Sequence, residues 1–154
     1  LSEVAVGFAF GPLLFEGTYF VMTKHFSLMV LVMSLAVVMF TIGLMYVHTL
    51  LDFEGDVCAH KKTLVCRIGD KAKALKGVFV VYGLAYSFTI IWMIMQKNYY
   101  LLITFLLIPL IKRMYNSIKT YTCGGEEKEF YYRLLQARNL MVYYSILVIF
   151  CSLL

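Results

Sequence analysis

The residues best suited to metal chemistry recur every four positions in the middle of the chain, as His48, Asp52 and Asp56. On a helix, residues four apart lie on one face with their side chains about 6 Å apart, so the three groups could share a cation. Carboxylates at a hydrated site favour magnesium, which completes its shell with water and substrate phosphate. The spacing therefore predicts a Mg²⁺ site at Asp52 and Asp56, with a diphosphate as the natural partner.

Fixed positive charge follows the two aspartates within one loop. The segment 60–67 contains Lys61 and Arg67, and Lys71 and Lys73 come shortly after it. Lysine and arginine neutralise phosphate oxygens, and stabilising the charge on a departing diphosphate lowers the barrier to its release. A lone D-x-x-x-D pair is more often a solvated helix end than a site. The position of this pair, where an apolar run ends and a basic cluster follows, favours a site.

An ionisable side chain inside an apolar run is a second candidate. Glu16 lies near the middle of the first run, where a carboxyl group is costly and normally faces a protein interior or a wet cavity. It could line a pocket for an acceptor, or it could form a structural hydrogen bond with Thr18 or Tyr19. Tyr19, Tyr46 and Tyr82 could stabilise positive charge with their ring faces. The sequence leaves these alternatives open.

Other classes of chemistry fit the residues less well. A zinc site at His48, Asp52 and Asp56 lacks a further His or Cys at matching spacing. A hydrolase would need a Ser or Cys nucleophile beside a recognisable base and oxyanion donor, and the sequence shows no such set. A transporter would use intramembrane acids to bind coupling ions, and Glu16 is the only acid deep in an apolar run.

These side chains must be positioned by helices that cross a membrane. The 154-residue chain is 62% hydrophobic and 15% charged, whereas roughly a quarter of the residues of soluble domains are charged. Its apolar runs approach the ~20 residues that span a hydrocarbon core, and they lack the alternation of barrel strands. We expect an all-α polytopic bundle, a single domain over 1–154, with a helix that continues through Asp52. The predicted spans are 4–23, 27–50, 77–96, 99–111 and 139–154.

Charge placement predicts the orientation of the bundle. Twelve of the 14 lysines and arginines lie in 51–76 and 112–138, whereas Lys24 and Lys97 lie on the other side. Since positive residues near helix ends stay in the cytoplasm, both segments should face it. We expect an integral protein of a bacterial or archaeal cytoplasmic membrane. The concentrated charge suits lipid headgroups or an anionic substrate, and no nucleic acid is expected as a partner.

Two stretches resemble the UbiA-type membrane prenyltransferases, which join an isoprenoid chain to an acceptor. The sequence D-F-E-G-D at 52–56, followed by K-K-T-L-V-C-R-I-G at 61–69, is similar to the family's second aspartate-rich motif with its trailing K-x-T-L-x-x-R-x-G pattern. The sequence G-P-L-L-F-E-G-T-Y-F-V at 11–21 resembles the G-P-L-L-x-x-G-T-Y-Y-V helix of the naphthoate branch, which makes menaquinone precursors. The resemblance covers essentially the whole chain.

The resemblance implies a magnesium-dependent transferase that joins a prenyl diphosphate to an aromatic acceptor, with 1,4-dihydroxy-2-naphthoate favoured. Asp52 and Asp56 would be the catalytic residues that bind Mg²⁺ and diphosphate, and Lys61 and Arg67 would assist on the diphosphate. The residues implied to line the cavity or the acceptor site are Glu16, Tyr19 and His48.

The family pattern also contains parts that this sequence lacks. Members have nine helices and an earlier motif, N-D-x-x-D or N-x-x-x-D-x-x-x-D, on helices that would precede Leu1, so the five spans resemble a C-terminal portion. Without that motif, a second hypothesis is an inactive accessory module or a half-enzyme that needs the N-terminal half or a second chain. His48 stands where Asn is common, and His60 replaces the usual Gly before the lysine.

Overall fold

The computed structural model describes residues 2–121 and 127–153, and every element within them is a helix. Five helical stretches are long and apolar enough to cross a membrane, which confirms the predicted all-α bundle with five spans. These stretches are Ala5–Thr23, Leu28–Leu51, Lys71–Gln96, Tyr99–Lys119 and Lys128–Leu153. The protein is therefore an integral membrane protein.

The helices divide the spans as follows. The first span consists of α1 (Ser2–Phe8), a π-helical turn (Ala9–Leu13) and α2 (Leu14–Thr23), and the second span is α3 (Leu28–Leu51). Two short helices, α4 (Phe53–Cys58) and α5 (Leu64–Ile68), lead to the third span, α6 (Lys71–Gln96). The fourth span joins a 3₁₀ helix (Tyr99–Leu107) to α7 (Ile108–Lys119), and the fifth is α8 (Glu127–Leu153).

The last three spans are longer than predicted, so their predicted bounds were wrong. α6 begins at Lys71 instead of 77, because the Asp70 carboxylate caps it by accepting from the backbone N–H groups of Ala72 and Lys73 at 2.8 and 3.3 Å. α7 continues to Lys119 because Pro109 lies in its first turn, where a proline is tolerated. α8 begins at Glu127, since its charged first turns are helical although they are not apolar. The sequence C-G-G-E-E-K-E at 123–129 predicts a turn followed by a helix start with acids in its first turn; the helix is observed, and the turn lies outside the described residues.

We expected the second span to continue as one helix through Asp52, but the structure interrupts the helix at that residue. α3 ends at Leu51 and α4 begins at Phe53, with Asp52 at φ −94° and ψ 16° between them. The Asp52 N–H still donates to the His48 carbonyl at 3.0 Å, and the Asp56 N–H donates to the Asp52 carbonyl at 2.9 Å. The helical hydrogen bonds therefore continue on both sides of Asp52, although its own backbone conformation is not helical.

The centre of the bundle is the packing of α3 against α6. Gly43 and Gly77 allow this close approach, because a β-carbon at Gly43 would lie 2.9 Å from Cζ of Tyr82 and one at Gly77 would overlap the Tyr46 hydroxyl. Tyr46 is buried and donates a hydrogen bond to the Ala74 carbonyl at 2.6 Å. Tyr46 thus packs in the helix interface, whereas Tyr82, which is also buried, lines a cavity of about 400 Å³ between α6 and the fourth span.

α8 closes the other side of α3. The Tyr144 ring stacks on Phe40 with their centroids 3.9 Å apart, and the Tyr144 and Thr89 hydroxyls lie 2.7 Å apart, which links α8 to α6. These side chains are buried, so the hydroxyl pair satisfies polar groups that lipid could not. Three spans therefore meet at Phe40.

The substitution Gly77→Ala should destabilise the bundle by about 1–3 kcal/mol, because the new methyl group would displace the Tyr46 hydroxyl from the Ala74 carbonyl. Gly83→Ala is the matched control on the same helix, since a β-carbon there meets nothing within 4 Å. The control should be neutral or slightly stabilising, because alanine favours helix over glycine. Thermal unfolding in detergent measures both variants, and equal losses would contradict this account of the interface.

Candidate functional site

Asp52, Asp56 and Lys61 come together at the end of α3, as the sequence predicted for the two aspartates and the first lysine. The Lys61 ammonium donates to Asp56 Oδ1 at 2.6 Å and lies 4.0 Å from Asp52 Oδ2. The Asp56 side chain is only 3% exposed, whereas those of Asp52 and Lys61 are 43% and 56% exposed. A buried carboxylate requires a partner, and Lys61 supplies it.

The loop after α4 explains why Lys61 reaches back to Asp56. The His60 N–H donates to the Val57 carbonyl at 3.0 Å, and the Lys61 N–H donates to the Asp56 carbonyl at 2.9 Å. This pair of bonds is a Schellman cap, which places a left-handed residue just after a helix. His60 is that residue, with φ 52°. The glycine that is usual at this position of the resembled motif is therefore explained by the left-handed backbone conformation, which glycine adopts without steric cost.

Electrostatics keep the lysine charged. The hydrogen bond to Asp56 and the negative charges of Asp56 and Asp52 raise the pKa of Lys61 above its ordinary value, against a smaller opposing effect of desolvation. Lys61 therefore stays an ammonium throughout the neutral range. The group is available both to hold Asp56 and to meet an anion that enters from solvent.

Asp52 lies across the first turn of α4, beside Gly55. A β-carbon at Gly55 would lie 2.8 Å from Asp52 Oδ1, so a larger residue there would make this half-exposed carboxylate shift. The sequence showed Gly55 simply as the first helix breaker after α3. In the structure, Gly55 also leaves space for the observed position of the Asp52 carboxylate.

Arg67 lies apart from the aspartates, in the last turn of α5. This short helix begins at Thr63, whose hydroxyl accepts from the Cys66 N–H at 3.2 Å, and it ends at Gly69 with φ 70°. The Arg67 side chain is exposed, and it forms no ion pair with a residue in 2–121 or 127–153. The structure thus brings Lys61, but not Arg67, into contact with the carboxylates.

His48 turns toward α8 and does not join the aspartates. Its ring packs edge-on against Phe130 at 5.7 Å between centroids, and it lines a groove of about 400 Å³ between α3 and α8. Leu44, Leu134 and Arg138 line the same groove. The helical spacing of His48, Asp52 and Asp56 was therefore misleading as a three-ligand cluster, although His48 does line a cavity.

Glu16 and Tyr19 lie toward the opposite end of the bundle. The Glu16 carboxylate accepts from the backbone N–H of Ser27, just before α3 begins, at 3.3 Å. α3 has 24 residues and is therefore about 36 Å long, which separates this end from Asp52. Of the two alternatives for Glu16, the hydrogen bond with Thr18 or Tyr19 is absent from the described residues, and the Thr18 hydroxyl donates to the Leu14 carbonyl. Glu16 buries its Oε1 without a partner among the described residues.

The carboxylates fit a metal ion that is shared with a substrate. Within the described ranges, no three His, Cys, Asp or Glu side chains converge on one point, so a closed protein-only cage is absent there, including the zinc site considered above. Magnesium differs, because it needs only one or two carboxylates when water and phosphate supply the rest. Asp52 and Asp56, one half-exposed and one buried, offer this smaller set.

Sequence reasoning missed Tyr121, which joins the two basic segments at this end. The Lys71 ammonium lies 5.7 Å from its ring centroid and the Arg133 guanidinium carbon lies 4.8 Å from it. Arg133 also donates to the Ser117 carbonyl at 2.9 Å. The start of α6, the end of α7 and the start of α8 thus meet beside the aspartate loop, in what we call the basic end of the bundle.

Comparison with known proteins gives one finding. The family model described as the UbiA prenyltransferase family matches residues 1–150. No curated protein and no solved structure is significantly similar to the chain.

His60→Gly should raise the free energy of unfolding by roughly 0.5–1 kcal/mol, because glycine adopts the left-handed conformation without the cost borne by histidine. His60→Val should lower it, since a β-branched residue is still less compatible with φ 52°. Thermal unfolding of both variants in detergent tests the Schellman cap. The opposite order would show that the His60 side chain, and not its backbone, matters.

Proposed function

Since the chain belongs to the UbiA prenyltransferase family, we propose that it transfers an isoprenoid chain from a prenyl diphosphate to an aromatic acceptor. The favoured acceptor is 1,4-dihydroxy-2-naphthoate, which would place the product among menaquinone precursors. The observation that carries the proposal is the convergence of Asp52, Asp56 and Lys61 where α3 ends. The G-T-Y stretch at 17–19 supports the naphthoate branch by resemblance.

Asp52 and Asp56 would hold Mg²⁺, and the bound ion would neutralise diphosphate oxygens. Lys61 lies 4.0 Å from Asp52 and 2.6 Å from Asp56, so one positive charge faces two carboxylates and the remaining negative charge favours a further cation. Because its side chain is exposed and flexible, the Lys61 ammonium can also donate to a diphosphate oxygen at the same point. Arg67 would reach the diphosphate only from the neighbouring helix α5.

The proposed reaction breaks the bond between the allylic carbon and the diphosphate oxygen, and the electron pair leaves with the diphosphate. Lys61 stabilises that negative charge as it develops, which is the role that lowers a barrier most effectively when the donor is already in place. An electron-rich ring carbon of the acceptor then forms the new carbon–carbon bond, and the ring regains its aromaticity by losing a proton from that carbon or, where that carbon carries the carboxylate, CO₂. The apolar spans exclude water, which would otherwise capture the allylic cation.

The bundle supplies an apolar wall beside this charge. The groove between α3 and α8 starts at His48, one helical turn below Asp52, and its other walls include Leu44 and Leu134. An isoprenoid tail is apolar throughout, so it gains by leaving water for such a surface. We propose that the diphosphate lies at the basic end and that this end faces the cytoplasm.

Asp52→Asn and Asp56→Asn should each reduce prenyl transfer by about 100-fold or more, because each removes a negative metal ligand and leaves the side-chain volume unchanged. The measurement is product formation from a prenyl diphosphate and 1,4-dihydroxy-2-naphthoate, with and without Mg²⁺ after chelation. A panel of other electron-rich aromatic acids tests the choice of acceptor.

Glu54→Gln is the matched control, since Glu54 is an exposed acid on the same short helix and does not contact Lys61 in the described structure. It should keep its activity within about twofold. Full activity of the two aspartate variants, or an equal loss in the control, would reject the assignment. If product formation does not change when divalent cations are chelated, the Mg²⁺ assignment is rejected but the transferase activity is not.

A further inference from the structure

A second polar cleft lies between α7 and α8, away from the aspartates. It has a volume of about 330 Å³, and its polar lining consists of Arg113, Gln136, Asn139, Tyr132 and Tyr143. No carboxylate is among its lining residues, so the cleft offers nothing to a metal–diphosphate complex. The groove beside His48 is lined by different residues of α8, Leu134 and Arg138. The two cavities are therefore separate.

The polar groups of this cleft have unused hydrogen-bonding capacity. Gln136 Oε1 is buried and has no hydrogen-bond partner among the described residues, which is costly in a membrane protein. Arg113 forms no ion pair with any residue of the described ranges. The Asn139 Oδ1 atom already accepts from Arg138 at 3.2 Å, so its amide N–H₂ group remains available as a donor. The cleft thus offers donors to an anion and one acceptor to a hydroxyl group.

The position of the cleft matches the level of lipid headgroups. Arg113 lies six residues before Lys119, the end of α7, and therefore about 9 Å below the basic end. Tyr132 lies five residues after Glu127, the start of α8, and therefore at about the same depth as Arg113; it is 58% exposed, as is typical of tyrosines at a membrane interface. Basic pockets between spans at this depth bind anionic lipid headgroups.

The rest of the cleft is lined by apolar side chains. Met114 and Leu140 are 1% and 2% exposed and form its floor, and Leu110 and Leu135 lie along its walls. This surface suits acyl chains, whereas a free phosphate would leave it uncovered. A ligand with one negative charge would neutralise Arg113, the one basic residue among those that line the cleft.

From these observations we infer that the cleft binds an anionic phospholipid whose headgroup carries hydroxyl groups, such as phosphatidylglycerol. The phosphodiester accepts from Arg113 and Asn139, and a headgroup hydroxyl donates to Gln136 Oε1. The net negative charge distinguishes this ligand from zwitterionic lipids. The headgroup hydroxyl distinguishes it from anionic lipids that have no hydrogen-bond donor. The inference does not depend on the proposed transferase reaction.

The test measures the dissociation constant of short-chain phosphatidylglycerol for the detergent-solubilised protein by native mass spectrometry. Arg113→Gln should weaken binding by about tenfold or more, and Arg113→Lys by less, because lysine keeps the charge but loses the bidentate fork. Lys112→Gln is the matched control, since it removes the same charge one residue away and does not line the cleft. It should change the constant by less than about twofold.

The headgroup is tested separately. Phosphatidylmethanol carries the same net charge as phosphatidylglycerol but has no hydrogen-bond donor in its headgroup. Phosphatidylglycerol should therefore bind more tightly to the wild type, and Gln136→Leu should remove that difference. Phosphatidylcholine should bind weakly, and soluble glycerol phosphate should not displace the lipid at equal concentration. Equal losses in Arg113→Gln and Lys112→Gln, no preference for phosphatidylglycerol, or displacement by glycerol phosphate would overturn the inference. Unchanged thermal unfolding of Arg113→Lys and Gln136→Leu keeps a folding defect distinguishable from lost binding.

Discussion

The close packing of α3 against α6 determines where the charged groups of this protein lie. Gly43 and Gly77 bring the two helices near enough for the Tyr46 hydroxyl to donate a hydrogen bond to the Ala74 carbonyl. This polar contact fixes the start of α6 beside the C-terminal half of α3. The chain between Asp52 and Asp70 must then fold back within a short distance. The short helices α4 and α5 are the result, and the aspartate site is part of that return.

Lipid imposes the second condition, because every polar group that enters the bundle must find a partner inside it. Most of them do so locally or across one interface, as the paired Thr89 and Tyr144 hydroxyls show. The exceptions are therefore informative. Three side chains bury an oxygen without a partner in the described part of the chain. Gln136 lies in a cleft with an arginine, Glu16 lies beside the loop between the first two spans, and Tyr82 lies at the interface of α3 and α6. Because Arg113 lines the same cleft as Gln136, its positive charge favours an anionic ligand there.

Hydropathy predicted five spans because runs of apolar residues have few alternatives to a transmembrane helix. The D-x-x-x-D motif and the basic segment after it predicted a cluster, and the structure brings Asp52, Asp56 and Lys61 together. Hydropathy could not predict the start of α6 or the end of α7, since these helices continue through charged turns after the apolar signal stops, whereas the acids before Phe130 did predict the start of α8. Helical spacing also grouped His48 with the aspartates, whereas the His48 ring packs against Phe130. The Glu16 partner is a backbone group across a loop, which no pattern of side chains reveals.

The Schellman cap at His60 also sets the charge that the site presents. It turns the chain so that Lys61 donates to Asp56 at 2.6 Å, and one ammonium then lies between two carboxylates, so the cluster has a formal net charge of −1. Such a cluster attracts cations and repels an anion that arrives alone. In the proposed reaction, the diphosphate would therefore enter together with its divalent cation.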